Sequence, residues 1–256
     1  MSGFSHALRG NRRRVLVPLL SVAVALGAMV PALAFELRGA GVVLIHGKAG
    51  GQGPLQPLAQ GLKARGATVV LPRMSWTSGY RTYDQTLGEV QAAVSRLKAG
   101  GASRIVLAGH SLGANISMGY AARIGGVDAV VALAPGHRPD FIASQTGESL
   151  AQAKAMVAAG QGAQKGRFLD FNQGRTFPIT TTAEAYLNFF DPSGPAAQAA
   201  QASGVRVPTL WVIGTGDRAA MNDRAAYSGT RIVVEADHQT TPRVAVAEVI
   251  DWLQKH

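Results

Sequence analysis

A chain of 256 residues, 47% apolar and 16% charged, has enough hydrophobic material to bury a core and is too apolar to remain unfolded. It contains no cysteine, which excludes disulfide staples, thiolate metal sites and a cysteine nucleophile. The formal charge of +10 is spread out, with no basic run interleaved with aromatics, so nucleic-acid binding is poorly supported.

The chain starts with an export pattern. Arg9, Arg12, Arg13 and Arg14 precede the apolar run 15–30, and Ala32-Leu33-Ala34 is a small-x-small ending. This is the layout of a secretory signal spanning residues 1–34, cleaved after Ala34. A retained membrane anchor is the alternative, but the run is short for a bilayer span and holds Pro18 and Gly27. The arginines loosely resemble a twin-arginine signal, with Val15 where Phe is usual, so the Sec and Tat routes both stay open. Removing this segment would leave 21 basic and 15 acidic residues, a net +6, on one domain of residues 35–256 in the periplasm or outside the cell.

From there, short apolar runs alternate with helical periods. Residues 41–45 read as a strand buried on both faces, ending in His46-Gly47-Lys48 and a glycine-rich loop. A helical period over 55–65 stops at Gly66, and 68–71 reads as a second buried strand. The loop 72–83 carries Trp76, Tyr80 and Tyr83, and Leu87, Val90, Val94 and Leu97 mark the next helix. Strands follow at 105–108, 129–133, 209–213 and 231–234, with a closing helix at 244–253. Residues 140–205 break the rhythm: helical pieces are expected near 148–159, 182–190 and 195–203, with no core strand. Six strands alternating with helices predict an α/β fold with a mainly parallel sheet and helices on both faces.

The strand 105–108 runs into Gly109-His110-Ser111-Leu112-Gly113 and then a helix. G-x-S-x-G between a strand and a helix is the pattern of a nucleophile elbow, whose turn is too tight for side chains at the flanking positions. In parallel sheets ligands bind beyond the carboxyl ends of the strands. His46, Ser111, His137, Asp217 and His238 all follow strand ends, so one rim should collect them.

A serine hydroxyl attacks a carbonyl only when a base takes its proton and a third group fixes that base. His6 leaves with the signal, His256 ends the chain, His110 should face away from its neighbour Ser111, and His46 is expected to brace the glycine loop. His238 and His137 remain, and the order Ser111, Asp217, His238 is that of an elbow-type hydrolase.

On these residues the chain resembles the α/β-hydrolase family over about residues 41–256. The resemblance implies Ser111 as nucleophile, His238 as base and Asp217 as acid, with Asp140 the alternative acid because some relatives place it one strand earlier. His46-Gly47 resembles the family's HG loop, so the amides of Lys48 and Leu112 would form the oxyanion hole. The Lys48 side chain is expected to be solvated. His46, Gly47, His137 and Trp76 would contact substrate, although Trp76, Tyr80 and Tyr83 fit ordinary loop packing equally well. Residues 140–205 resemble a helical cap. No antiparallel strand pair precedes Gly41, so the sheet is expected to be a trimmed six-stranded form.

The function implied is an exported serine esterase acting on a small-molecule ester, with no cofactor or metal. An acyltransferase and a non-catalytic ligand-binding protein are the rival readings. Gly214-Thr215-Gly216-Asp217-Arg218-Ala219, with Glu235 beyond, also matches the dinucleotide pattern G-x-G-x-x-A, but only a helix follows Glu235.

Overall fold

The computed structural model describes residues 37–48, 51–197, 202–217 and 228–256. The expected signal at 1–34 lies outside these residues, as do Arg218, Ala219 and part of the helical piece expected at 195–203. From the N-terminus the elements are β1 (Ala40–Ile45), α1 (Gln56–Lys63), β2 (Thr68–Val70), α2 (Tyr83–Ala99), β3 (Arg104–His110), α3 (Leu112–Arg123) and β4 (Ala129–Leu133). An inserted segment adds α4 (Pro139–Gln145), α5 (Gly147–Ala158), β5 (Lys165–Asn172), β6 (Arg175–Thr182) and α6 (Ala183–Phe190). The chain closes with β7 (Thr209–Gly214), β8 (Thr230–Val234), α7 (Thr241–Val244) and α8 (Val246–Lys255).

The main sheet has the order β2-β1-β3-β4-β7-β8, and every pairing in it is parallel. All six strands expected from the sequence are present. The four central strands are continuous apolar runs because helices cover both faces. Val43, Ile45, Ile105 and Leu107 point into one core with α2 and α3. The alternating Val42, Leu44, Val106 and Val131 point into another with Leu58, Leu62, Val249 and Trp252. β2 pairs with β1 alone, so as an edge strand it is only partly covered and is not the fully buried strand expected.

The inserted segment is largely helical, as expected, and contributes no strand to the main sheet, but it holds one element the sequence did not announce. α5 and α6 fall where helices were read, but residues 165–182 between them form an antiparallel hairpin, β5–β6. Its inward face carries Phe168 and then Asp170, both buried, so a charge interrupts the alternation that marks a strand. Pro178 in β6 weakens the signal further, and is tolerated because a two-stranded sheet has only edge strands. The Tyr80 ring lies 4.9 Å from Phe189 and 5.1 Å from Phe190, while the Tyr83 amide donates to Asn188 Oδ1 at 2.8 Å. The aromatic loop 72–83 therefore packs against the insertion and fastens it to the sheet.

At one place the chain leaves β1 towards β2 on one side and then returns to place β3 on the other. This is the topological switch point, where strand-end loops diverge and open a crevice. His46-Gly47-Lys48 follows β1 and Ser111 follows β3, so both flank it. No helix among the described residues is long and apolar enough to cross a membrane.

Candidate active site

Ser111 is the N-cap of α3, with φ 54° and ψ −116°. A non-glycine residue there is strained, and such strain persists only where surrounding structure fixes it. The two flanking glycines supply that constraint. A Cβ on Gly109 would overlap the Gly113 carbonyl, and one on Gly113 would overlap the Ile45 carbonyl. The G-x-S-x-G spacing thus follows from backbone packed on backbone. Ser111 is 9% exposed and faces a cavity of about 480 Å³ lined by Lys48, Gly136, His137, Phe141, Phe171 and His238 among others.

His238 Nδ1 donates to Asp217 Oδ2 at 2.6 Å, with Asp217 buried beneath the last strand ends. This bond fixes the Nδ1–H tautomer and leaves Nε2 as an acceptor. Asp140, the alternative acid, is bound to Arg138 at 2.7 Å on the first turn of α4. That pairing, led by its hydrogen bond, holds the Asp140 carboxyl below its ordinary range. A Cβ on Gly136 would lie 2.7 Å from His238 Cε1, 3.5 Å from His238 Nε2 and 3.5 Å from Ser111 Oγ. Gly136 therefore leaves room between the serine and the imidazole, and no sequence pattern marked it. Among the described residues Ser111 Oγ has no hydrogen bond to His238 Nε2; in resting sites that bond is commonly long and tightens when substrate binds.

His110 has a contact that its position beside Ser111 concealed. Its Nε2–H donates to the His238 carbonyl at 2.8 Å, with the two rings 5.0 Å apart. Burial, reinforced by the neighbouring His238, lowers its pKa to about 4, so it is neutral and able to be this single donor. The residue set aside as facing elsewhere supports the loop that carries His238. The partners are 128 positions apart in the sequence.

On the other side of the cavity the Gly47–Lys48 peptide is pinned from below. The Met74 amide donates to His46 Nε2 at 3.1 Å, which places the ring proton on Nδ1. Nδ1–H then donates to the Gly47 carbonyl at 2.8 Å, and the Trp76 indole N–H reaches the same oxygen at 3.1 Å. In a trans peptide the carbonyl and the following N–H point in opposite directions. Two donors holding the Gly47 carbonyl downwards therefore turn the Lys48 N–H away from them. The second amide expected at the site, that of Leu112, sits at the first position of α3, where an N–H has no partner within the helix and lies at its positive end.

Of the four residues expected to contact substrate, His137 lines the cavity. Its Nε2–H donates to the Phe189 carbonyl at 2.7 Å, and burial, aided by the nearby Lys48 charge, keeps it neutral. Gly47 packs against Ser111, since a Cβ there would lie 3.1 Å from the serine Cβ. His46 and Trp76 do not line the cavity; both lie beneath the turn as its supports. The Lys48 side chain is likewise not solvated. Its Nζ forms a 2.6 Å ion pair with Asp170 Oδ1 and lies 4.9 Å from the Phe190 ring centre. Burial pulls its pKa down while Asp170 pushes it up. Asn172, Gln173 and Gly174, at the hairpin tip, complete one wall.

The dinucleotide reading loses its basis in the same loops. The amides of Thr215, Gly216 and Asp217, which would cradle a phosphate, bond to the carbonyls of Val234, Ala236 and Gly214 at 2.9, 2.9 and 3.0 Å. Thr215 Oγ1 donates to Glu235 at 3.2 Å, and β8 is the sheet edge. Among the described residues no group of three His, Asp or Glu is arranged to hold a metal ion.

Several solved structures share this architecture. One, described with the metagenome-derived lipolytic enzymes LipS and LipT, is 16% identical over 89% of this chain and 99% of that one, with a TM-score of 0.59. The esterase domain of a Rhodothermus marinus protein is 17% identical over 85% and 88%, with a TM-score of 0.58. A Paleococcus ferrophilus monoacylglycerol lipase is 17% identical over 84% and 94%, also at 0.58. No curated protein matches the chain by sequence. The model of the alpha/beta hydrolase family matches residues 42–252, from the strand before the His46-Gly47 turn to the closing helix. With the elbow, the parallel sheet and the match all running over the same residues, this chain belongs to the α/β-hydrolase family.

Proposed function

We propose that the protein is an exported serine hydrolase acting on carboxylic esters through Ser111, His238 and Asp217. The observation that carries this reading is a strained serine at φ 54° on a cavity wall shared with an imidazole bonded to a buried carboxylate at 2.6 Å. In this scheme Ser111 Oγ attacks the ester carbonyl carbon as His238 Nε2 takes its proton. The resulting oxyanion receives hydrogen bonds from the Lys48 and Leu112 amides, and removing one such donor typically costs about 3 kcal/mol of barrier. Collapse breaks the carbonyl–alkoxy bond, and the departing alcohol takes the proton from His238. Water then attacks the acyl-enzyme with His238 again as base, releasing the acid and free Ser111. Asp217 holds the tautomer and stabilises the imidazolium. The esterase and lipase names of the structural neighbours agree with an ester substrate, and the pattern of residues 1–34 supports export.

The test is covalent labelling with a fluorophosphonate. Full-length chain expressed in an exporting host should yield protein beginning at Phe35, with a stoichiometric adduct on Ser111 by mass spectrometry. Ser111→Ala and His238→Ala should both abolish the adduct and lower kcat by at least about 10⁴-fold on an active ester. A folded wild-type protein that takes no label would refute the nucleophile and favour a ligand-binding role. Products in the presence of an added alcohol separate hydrolysis from acyl transfer.

A further inference from the structure

The hairpin β5–β6 touches the proposed oxyanion turn through one buried ionic contact between groups 122 positions apart in the sequence. The Lys48 and Asp170 side chains are 6% and 1% exposed. Asp170 is itself held firmly: its Oδ2 accepts the Tyr80 hydroxyl at 2.9 Å, and its Oδ1 also accepts the Phe171 amide at 2.7 Å. Lys48 Nζ additionally approaches the Phe171 carbonyl at 3.4 Å. The turn is thus gripped at two points. His46 and Trp76 hold the Gly47 carbonyl from the sheet side, and Asp170 holds the Lys48 side chain from the insertion side. The amide read as an oxyanion donor lies between these grips.

A buried lysine paired only to glue two layers together would be an expensive choice, because burying a charge pair is often no more stabilising than packing apolar groups of the same volume. Geometry specific to the turn gives the pair a second role. Anchoring Nζ between the Asp170 carboxylate and the Phe171 carbonyl limits how far the Lys48 backbone can move, and a donor about 1 Å out of place forfeits much of its value to a transition state. We propose that Lys48 is a positioning residue whose side chain, held by Asp170, aims its own backbone amide at the developing oxyanion, so that the hairpin forms part of the oxyanion machinery as well as the cavity wall. This rests on the serine-hydrolase reading, and labelling of the wild-type protein at Ser111 tests that reading first and separately.

Two variants are compared with wild type. Asp170→Asn keeps the shape and removes the charge, whereas Lys48→Met combined with Asp170→Leu replaces the pair with apolar groups and leaves no buried charge. Each is measured by thermal melting, by kcat and KM on one ester, and by inhibition with an alkylboronic acid. Such an acid adds to a serine hydroxyl as a tetrahedral anion and so reports on oxyanion donors. The double variant leaves no uncompensated charge but deprives the Tyr80 hydroxyl and the Phe171 amide of their acceptor, so it should melt below wild type, and its kinetics are taken well below that transition. In both variants kcat should fall 10- to 100-fold with KM within threefold, and the boronate inhibition constant should rise by a similar factor. If either variant folds and keeps wild-type kcat and boronate affinity, the pair is structural glue and the proposal fails. If kcat falls but boronate affinity does not, the loss lies elsewhere than the oxyanion donors and the proposal fails equally.

Discussion

Individual atoms decide how the rim functions. Gly136 is the sharpest case, because a single methyl there would press on His238 Cε1 at 2.7 Å. The ring sits at the end of a movable side chain, so it can shift at little expense to the fold. With His238 as the proposed base, Gly136→Ala is therefore expected to melt within about 2 °C of wild type while kcat/KM falls about 100-fold, the usual scale for displacing such a group by about 1 Å. A variant with unchanged kcat/KM would show that the imidazole has room to spare. The strained turn at Ser111, its two flanking glycines and the candidates Asp217 and His238 could be picked out in the sequence, because G-x-S-x-G and the order Ser, Asp, His are local or ordered patterns. Gly136 and His110 could not, since each acts on His238, more than a hundred positions further along the chain.

At the scale of elements, the elbow helix and the hairpin contrast. α3 starts where its sequence requires, because backbone contacts at Gly109 and Gly113 leave one way to turn. α2 is equally well announced: Thr82 Oγ1 accepts the Gln85 amide and Gln85 Oε1 accepts the Thr82 amide, a reciprocal cap. The hairpin gives no such notice. Its two-residue turn holds Gln173 at φ 50° and Gly174 at φ 78°, the paired positive values of a type I′ turn, but Asn-Gly is the sequence that usually announces it. Glutamine in the left-handed region costs about 1 kcal/mol, and asparagine less. Gln173→Asn should raise Tm by about 2 °C in a calorimetric scan. A fall in Tm would mean that the glutamine side chain contributes more to the cavity wall than its backbone strain costs.

The whole molecule responds to acid through its buried histidines. His46, His110 and His137 are kept neutral in the fold by burial, so each binds its proton less readily folded than unfolded. Stability from such a group is fully present above the unfolded pKa near 6.5 and is lost as pH falls through the folded value. For His110, with a folded pKa of about 4, the loss accumulates between about pH 6.5 and 4 and approaches about 3 kcal/mol. Melting curves taken from pH 8 to 4 should show wild type losing stability more steeply than His110→Gln, which keeps a donor towards the His238 carbonyl and cannot titrate. Parallel profiles would contradict the assignment. The same three rings link the rim to the elbow, the β1 turn and α6, so acid would loosen the site together with the fold.

The sequence by itself determined the six-stranded parallel sheet, its order of strands and helices, and the tight G-x-S-x-G turn between β3 and α3. Each is written in short-range terms: apolar runs of strand length, helical periods, and glycines where a backbone must approach another backbone. Only the tertiary structure decided the fate of Lys48, which read as solvated, and chose for Trp76 between substrate contact and loop packing and for His46 between substrate contact and bracing of the glycine loop. All three are supports of one peptide plane. Their partners Asp170, Gly47 and Met74 meet them through the packing of the insertion and the loop 72–83 against β1. Burial and pairing of a charge depend on what lies across from it, and that neighbour is fixed by the fold as a whole.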